Sequence, residues 1–192
     1  MLIGNEIALR PVCPDDAEML TGWYNDPEFM GAFYNHWPRS KAMVLERIET
    51  ARGPEKALYI VTRRVDDEPL GTVGFLNPYA ADHAAMFHGI EIYYQIHHAY
   101  RRQGIATQSA RLLENHLFNA RAIERIVGYV AEQNEPSRKV LENAGLQYEG
   151  LHRHMNFTHG QWVNVIQLGM IRSDWVNEAK YRKGREFERD LR

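Results

Sequence analysis

The chain has 192 residues, of which 44% are hydrophobic and 25% charged, and its formal net charge is -2. This composition predicts one soluble domain that is large enough to bury a core, and it argues against binding nucleic acid through overall charge. The single cysteine, Cys13, excludes an internal disulfide framework and is expected to act as a small buried hydrophobe rather than a nucleophile. No leader segment and no apolar run of about 20 residues stands out, so we expect a cytoplasmic protein that does not contact a membrane.

The predicted elements alternate between strands and helices along the chain. An alternating segment predicts a strand over residues 6–12, and Pro14 followed by two acidic residues predicts a helix that ends near Asn25. The remaining predictions are a helix over 40–52, strands over 57–64, 70–76 and 87–96, a helix over 105–119, a strand over 125–131, a helix over 136–145 and a hairpin of residues 146–157 and 161–171. The order β-α-α-β-β-β-α-β-α-β-β predicts a mixed α/β sheet with helices on both faces. Residues 1–175 are assigned to this domain, and residues 176–192 to a charged tail that we expect to be helical.

A basic turn separates the strand over 87–96 from the helix over 105–119. It reads Arg101, Arg102, Gln103, Gly104, Ile105, Ala106 and Thr107. The first N–H groups of a helix have no internal partners and lie at its positive end, so a strand, a glycine-containing turn and a helix N-terminus together favour anion binding. Arginine side chains suit phosphate, and small residues let it approach the backbone. The alternative is a solvated basic turn at the start of a helix.

Two segments of the chain resemble the GNAT acetyltransferases. Residues 101–106 are similar to the Q/R-x-x-G-x-G/A signature of that family. Residues 134–146 are similar to the N-x-x-S-x-x-V-L-E-x-x-G-F block of its Rim-type branch, which acetylates the N-termini of ribosomal proteins. The resemblance covers residues 6–175. It implies the GNAT fold, a mostly antiparallel mixed sheet with splayed central strands and helices on both faces.

The resemblance also implies a co-substrate and a reaction. Acetyl-CoA would lay its pantetheine arm along the strand near Ile96 and its pyrophosphate on residues 101–107, with Asn134 near the thioester. The implied enzyme is an N-acetyltransferase, in which a primary amine attacks the thioester directly in a ternary complex. No metal is expected, because neither His97-His98 nor His152-x-His154 places a complete ligand set on one element. An acyl-CoA sensor or partner-binding module without turnover stays open as an alternative.

Three residues are the expected catalytic groups. Many family members carry a tyrosine where this chain has Leu141, so Ser137 is the candidate that protonates or hydrogen-bonds the leaving thiolate; the alternative is that Ser137 only caps its helix. Asn134 is a further candidate, because the resemblance implies that it contacts the co-substrate near the thioester. Glu91 is the candidate base, since a carboxylate on an apolar strand has a raised pKa; the alternative is a strand residue paired with an arginine. Tyr93 replaces the glycine of the Rim-type pattern, which puts a ribosomal-protein acceptor in doubt.

The acceptor amine is expected to meet the segment between the first two helices. This segment carries Asp26, Glu28 and six aromatic residues, which are Trp23, Tyr24, Phe29, Phe33, Tyr34 and Trp37. At least half of these aromatics are expected to pack in the core. The others, with Phe75, Asn77, Tyr79 and the hairpin from His152 to His159, are expected to line the cleft. Aromatic faces with carboxylates suit a cationic amine, such as a peptide N-terminus, a polyamine or an amine-bearing antibiotic. A homodimer stays open.

Overall fold

The computed structural model describes residues 1–35, 37–77, 89–120 and 122–177. These residues form eight strands, which are β1 Leu2–Ile3, β2 Ile7–Pro11, β3 Lys56–Arg63, β4 Pro69–Leu76, β5 Gly89–Ile96, β6 Arg125–Ala131, β7 Gln147–Thr158 and β8 Gln161–Ile171. The named α-helices are α1 Ala17–Asn25, α2 Pro27–Met30, α3 Lys41–Thr50, α4 Ile105–Ala120 and α5 Glu135–Ala144, and residues 172–177 after β8 are helical as well. Short 3-10 turns precede α1 and follow β5. The predicted order of elements is confirmed, with β1 and α2 added to it.

The added helix α2 is a single turn that the sequence patterns did not predict. The first helix ends at Asn25, as predicted, and Pro27 follows it two residues later. Proline is also favoured at the first position of a helix, and Pro27 occupies that position in α2. The Asp26 side chain caps α2 by accepting a hydrogen bond from the N–H of Glu28 at 2.9 Å.

All strands join one sheet in the order β1-β2-β3-β4-β5-β6-β8-β7. Every neighbouring pair is antiparallel except β5 and β6, which are parallel. The β5–β6 pairing ends at Glu91 and Val127, whereas β6 stays paired with β8 as far as Ala131. The two central strands therefore separate beyond Glu91, as predicted. We call this gap the β5–β6 opening.

The helices cover the two faces of the sheet. Helices α4 and α5 bury Leu113, Leu117 and Leu141 against one face. Helices α1 to α3 pack on the other face, where Ala17, Leu20 and Tyr24 form the predicted inner side of α1 and are buried. Apolar burial on both faces supplies the main stabilisation of such a sheet and fixes the direction in which each strand residue points.

The chain stays packed against the domain as far as Trp175. Its indole Nε1–H donates to Asn115 Oδ1 at 2.7 Å, and its ring stacks on Phe118 with centroids 5.4 Å apart. The predicted tail helix falls largely on residues 178–192, which lie outside the described residues. Cys13 is half-buried directly after β2, rather than fully buried. Among the helices of the described ranges, none has the length and apolar character required to span a bilayer.

Candidate active site

Strand β5 presents different side chains to the two faces of the sheet. Successive residues of a strand alternate in direction, so Glu91, Tyr93 and Gln95 share one face. Gln95 contacts Met30 of α2 at 3.5 Å, which places this row on the side of α1 to α3. Tyr94 packs instead into the cluster formed with α4. The β5–β6 opening is therefore flanked by Glu91 on one side of the sheet and by Tyr94 on the other.

The turn after β5 has the backbone that an anion site requires. Arg102 and Gly104 have φ angles of 64° and 76°, which lie in the left-handed region, and α4 begins at the next residue, Ile105. Arg102, Gln103 and Gly104 are exposed, Ala106 and Thr107 are half-buried, and Ile105 anchors the helix in the core. The turn thus exposes the N-terminus of a 16-residue helix together with the Arg102 side chain, which stands beside it.

Arg101 has a different position from the one expected of a phosphate ligand. Its Nε donates to the carbonyl of Ile96 at 3.0 Å, and its Nη2 donates to the carbonyls of Glu28 and Phe29 at 2.8 Å. The guanidinium therefore braces the end of β5 against α2. The carbonyl of Ile96 is occupied by the same contact, and its side chain is buried. In this conformation Arg102 is the better candidate for contact with the pyrophosphate.

The N-terminus of α5 lies next to the β5–β6 opening. Asn134 is the N-cap residue, and its Oδ1 accepts a hydrogen bond from the N–H of Ser137 at 3.2 Å. The alternative in which Ser137 caps this helix is therefore wrong, because Asn134 does so. The Ser137 hydroxyl is instead 2.9 Å from the hydroxyl of Tyr94, which also lies 3.0 Å from the Ser137 carbonyl.

Tyr94 is a candidate site residue that the sequence patterns did not single out. Burial raises the pKa of Tyr94 far above the ordinary value for a phenol, so the group stays protonated at any working pH. It spans the gap from β5 to α5 beside Ser137. Leu141, one turn after Ser137, is buried. It packs directly over Gly128 of β6, where a side chain would collide with it. A phenol thus reaches Ser137 from β5, in a chain that has leucine at the expected tyrosine position of α5.

Glu91 has the environment expected of a base. It is half-buried at the last β5–β6 pair, and burial raises the pKa of its carboxyl group. No ion pair joins it to an arginine within the described ranges, which removes the observation that the alternative required. A carboxylate with a raised pKa accepts a proton from an amine more readily near neutral pH.

The acceptor segment divides into packed and exposed aromatic residues. Tyr24 and Phe29 are buried, and Trp23 stacks on Phe29 with centroids 5.0 Å apart. Tyr34 and Trp37 are 47% and 70% exposed. Three of the six aromatics, Trp23, Tyr24 and Phe29, are thus packed, which agrees with the expectation of at least half, and Tyr34 and Trp37 remain available to line a cleft.

The β7–β8 hairpin lies against this acceptor segment. Asn35 Nδ2 donates to the carbonyl of Phe157 at 2.6 Å, and the N–H of His159 donates to Asn35 Oδ1 at 3.3 Å. These two contacts place Phe157 and His159, at one end of the predicted cleft lining, beside Asn35, which directly follows Tyr34.

The predicted lining after β4 is not supported. Phe75 pairs with Ile92, so it shares the face of α4 and is buried in the core there. Its placement in the cleft was wrong because alternation alone does not say which face of the sheet a residue takes. Asn77 Nδ2 donates to Glu55 Oε2 at 3.1 Å. Tyr79 lies outside the described residues.

Two histidines meet the carboxylates of the acceptor segment where β5 ends. Asp26, His97 and His98 bring one ligand atom each within 4.8 Å of the others, and Glu28 lies 3.4 Å from His98 Nε2. The prediction of no metal rested on the spacing within single elements, and the fold brings Asp26 to the histidines from another element. Asp26 and Glu28, which were expected near the acceptor amine, thus lie beside His98 past the end of β5, whereas Glu91 lies near the start of that strand.

Comparison with known proteins decides the family. The Acetyltransferase (GNAT) domain model matches residues 6–147, which is most of the chain. The chain belongs to the GNAT acetyltransferase family. This GNAT chain is 26% identical over 182 residues to the probable N-acetyltransferase YjcK of Bacillus subtilis, covering 91% of this chain and 98% of that one. It is 23% identical over 180 residues to an uncharacterized N-acetyltransferase, p20, of Bacillus licheniformis, with coverages of 91% and 98%.

Solved structures share the GNAT fold. A spermidine N-acetyltransferase from Vibrio cholerae in complex with CoA and spermine superposes with a TM-score of 0.78 at 16% identity, covering 90% of this chain and 99% of that one. A ribosomal-protein-S5-alanine acetyltransferase from Vibrio fischeri gives a TM-score of 0.75 at 21% identity, with coverages of 90% and 97%. RimL, a ribosomal L7/L12 α-N-protein acetyltransferase in complex with CoA, gives 0.76 at 17% identity, with coverages of 88% and 96%. The resemblance to the GNAT family is therefore confirmed.

Proposed function

We propose that this protein transfers an acetyl group from acetyl-CoA to a primary amine by direct attack in a ternary complex. The observation that carries the proposal is the β5–β6 opening, with an anion-binding helix N-terminus after β5 and the Ser137 hydroxyl at its far side. The opening suits an extended pantetheine arm. The turn at Arg102 and Gly104 suits the pyrophosphate. The named relatives, which are N-acetyltransferases, support the same activity.

The chemistry divides between the two faces of the sheet. The amine approaches from the side of α1 to α3, where Glu91 accepts its proton directly or through water. Its nitrogen forms a bond to the thioester carbonyl carbon, and the carbon–sulfur bond breaks. The electron pair leaves on sulfur, and Ser137 supplies the proton or hydrogen bond that the thiolate needs. Holding the amine and the thioester together on one strand supplies much of the rate gain.

The experiment is isothermal titration with acetyl-CoA followed by a thiol-release assay over a panel of amines. Micromolar binding with thiol release on one class of amine is the expected result. Binding without release on any amine would instead favour the acyl-CoA sensor. Absence of binding would contradict the assignment of the turn after β5 to phosphate. A Ser137→Ala variant belongs in the same assay, because unchanged turnover would remove Ser137 from the mechanism.

A further inference from the structure

Two arginines converge on the acceptor side of the sheet without an acidic partner. The guanidinium carbons of Arg39 and Arg47 lie 4.8 Å and 5.4 Å from the centre of the Tyr24 ring. Neither guanidinium forms an ion pair in the part of the chain that the structure describes. Both side chains are half-buried. Two like charges on one aromatic ring, without a carboxylate beside them, favour the approach of an anion.

The backbone beside this arginine pair is held by contacts of its own. The Asn25 side chain accepts from the N–H of Arg39 and donates to its carbonyl, both at 2.8 Å. Arg47 lies on α3, whose start is capped by Ser40. Burial and the neighbouring charge of Arg47 lower the pKa of Arg39, as expected for an uncompensated pair. The Arg47 guanidinium lies beside the hydroxyl groups of Tyr24 and Tyr93, which are neutral, so no carboxylate of the described residues compensates the charge of the pair.

The pair lies along the same row of β5 as the candidate base. The Arg47 guanidinium carbon is 5.9 Å from the centre of the Tyr93 ring, and Tyr93 lies two residues after Glu91 on the same face. Burial and then the nearby Glu91 carboxylate raise the pKa of Tyr34, and the charge of Arg47 opposes that shift. Residues two apart on a strand are separated by about 7 Å. An amine at Glu91 therefore lies on the same face of the sheet as the Arg47 guanidinium, with the Tyr93 side chain between them.

We propose that Arg39 and Arg47 bind a carboxylate of the acceptor, so that the preferred acceptor is a small primary amine that also carries a carboxylate. This inference rests on the proposed acetyltransferase function and names its substrate class. It replaces the expectation of a purely cationic acceptor, because Asp26 and Glu28 lie near His98 rather than near Glu91. A polyamine would bring a second positive charge to the two guanidinium groups, which is unfavourable.

The test compares three acceptors of matched length in the thiol-release assay. These are 6-aminohexanoate, hexylamine and 1,6-diaminohexane, which end in an anion, a methyl group and a cation. The expected kcat/KM for 6-aminohexanoate exceeds both others by tenfold or more, in line with the usual gain from charged hydrogen bonds of about 1.5–3 kcal/mol. Equal or faster acetylation of 1,6-diaminohexane would overturn the inference. Peptides that begin Ala-Glu and Ala-Gln, run in parallel, show whether a peptide can carry the same carboxylate.

Variants of Arg39 and Arg47 test whether a preference for acceptors with a carboxylate depends on these two side chains. Arg47→Gln is expected to lower the ratio of kcat/KM for 6-aminohexanoate to kcat/KM for hexylamine about tenfold, whereas Arg47→Lys keeps the preference over the diamine because the charge remains. The matched control is Arg52→Gln, an exposed arginine just after α3. A preference that survives in an Arg39→Gln, Arg47→Gln double variant with an unchanged melting temperature would contradict the proposal.

A separate readout covers failure of the proposed function. If acetyl-CoA binds but no amine is acetylated, the acetyltransferase proposal fails on its own. Titration of 6-aminohexanoate into the CoA-loaded protein then decides the anion site. Binding to the wild type that the double variant loses supports the site, and absence of binding to the wild type overturns it.

Discussion

The hydroxyl groups of Tyr94 and Ser137 lie 2.9 Å apart and join β5 to the start of α5 across the β5–β6 opening. The phenol stays protonated because burial raises its pKa, so it is a permanent donor. Its proton is donated to the Ser137 carbonyl at 3.0 Å, so the phenol oxygen is left to accept from the Ser137 hydroxyl, which stands beside the opening where a leaving thiolate would lie. The contact therefore gives Tyr94 the task of orienting the Ser137 hydroxyl.

Replacing this phenol should affect turnover more than binding. Tyr94→Phe is expected to lower kcat roughly tenfold and to change KM for acetyl-CoA little, since the ring and its packing remain. Ser137→Ala should lower kcat at least as much, and the double variant should be no worse than Ser137→Ala alone, because the two groups act as a unit. Tyr148→Phe, on an exposed β7 tyrosine, is the control. Additive losses in the double variant would contradict a shared role.

The sequence was sufficient for the elements and for the turn after β5, because those signals are local. Proline, glycine and alternating apolar residues determine where a strand or helix begins and ends, as Gly145 does by ending α5 in a left-handed conformation. Rows such as Glu91 and Tyr93 are visible in the same way, although alternation does not say which face they take.

Contacts between distant positions were not predictable from such patterns. Tyr94 and Ser137 are 43 positions apart, and Arg39 meets Tyr24 only after the chain has turned through α2. Arg101 was expected to bind phosphate because its side-chain chemistry suits that ligand. Its actual partners are carbonyls of β5 and α2, and whether they lie within reach depends on how those elements pack. The burial of Phe75 on the face of α4 follows from its pairing with Ile92, which is a property of the register.

Glu91 should impose a pH dependence on the reaction. Because burial raises its pKa, kcat/KM is expected to rise with pH through that value, as the group becomes a competent base. Glu91→Gln should remove this limb of the profile and lower the plateau by about a hundredfold or more. Glu49→Gln on α3, an exposed carboxyl, is the control. An unaltered pH–rate profile in Glu91→Gln would assign the limb to another group.

The same carboxyl group should also affect stability, with a defined sign. A folded-state pKa above the unfolded one means that ionised Glu91 costs stability at pH values above the folded pKa, and that this cost is absent below the unfolded pKa. Glu91→Gln is therefore expected to melt above the wild type at about pH 8 and to lose that advantage near pH 4. Thermal melts at both pH values provide the measurement. A variant that is less stable at the higher pH would show that the carboxylate has a favourable partner.

Gly104 should be essential for co-substrate binding. Its φ of 76° is readily adopted by glycine, and any side chain there is strained by about 1–3 kcal/mol and stands where phosphate would approach. Gly104→Ala is expected to weaken acetyl-CoA binding tenfold or more by isothermal titration. Gly150→Ala is the matched control, because the ideal Cβ at Gly150 meets nothing within 4 Å and its φ is not in the left-handed region. Equal effects of both variants on binding would show that the loss reflects stability alone.

Asn134 should have two separable tasks, one structural and one catalytic. Its Oδ1 caps α5 through the N–H of Ser137, so Asn134→Ala is expected to lower the free energy of unfolding by about 1 kcal/mol and also to move Ser137. Asn134→Asp keeps an oxygen that caps the helix equally well but lacks the amide N–H donor. Urea unfolding should therefore show near wild-type stability for Asn134→Asp, while its kcat/KM falls if the amide contacts the co-substrate. Wild-type activity in Asn134→Asp would limit this residue to its structural role, with the cap as its whole contribution to the site.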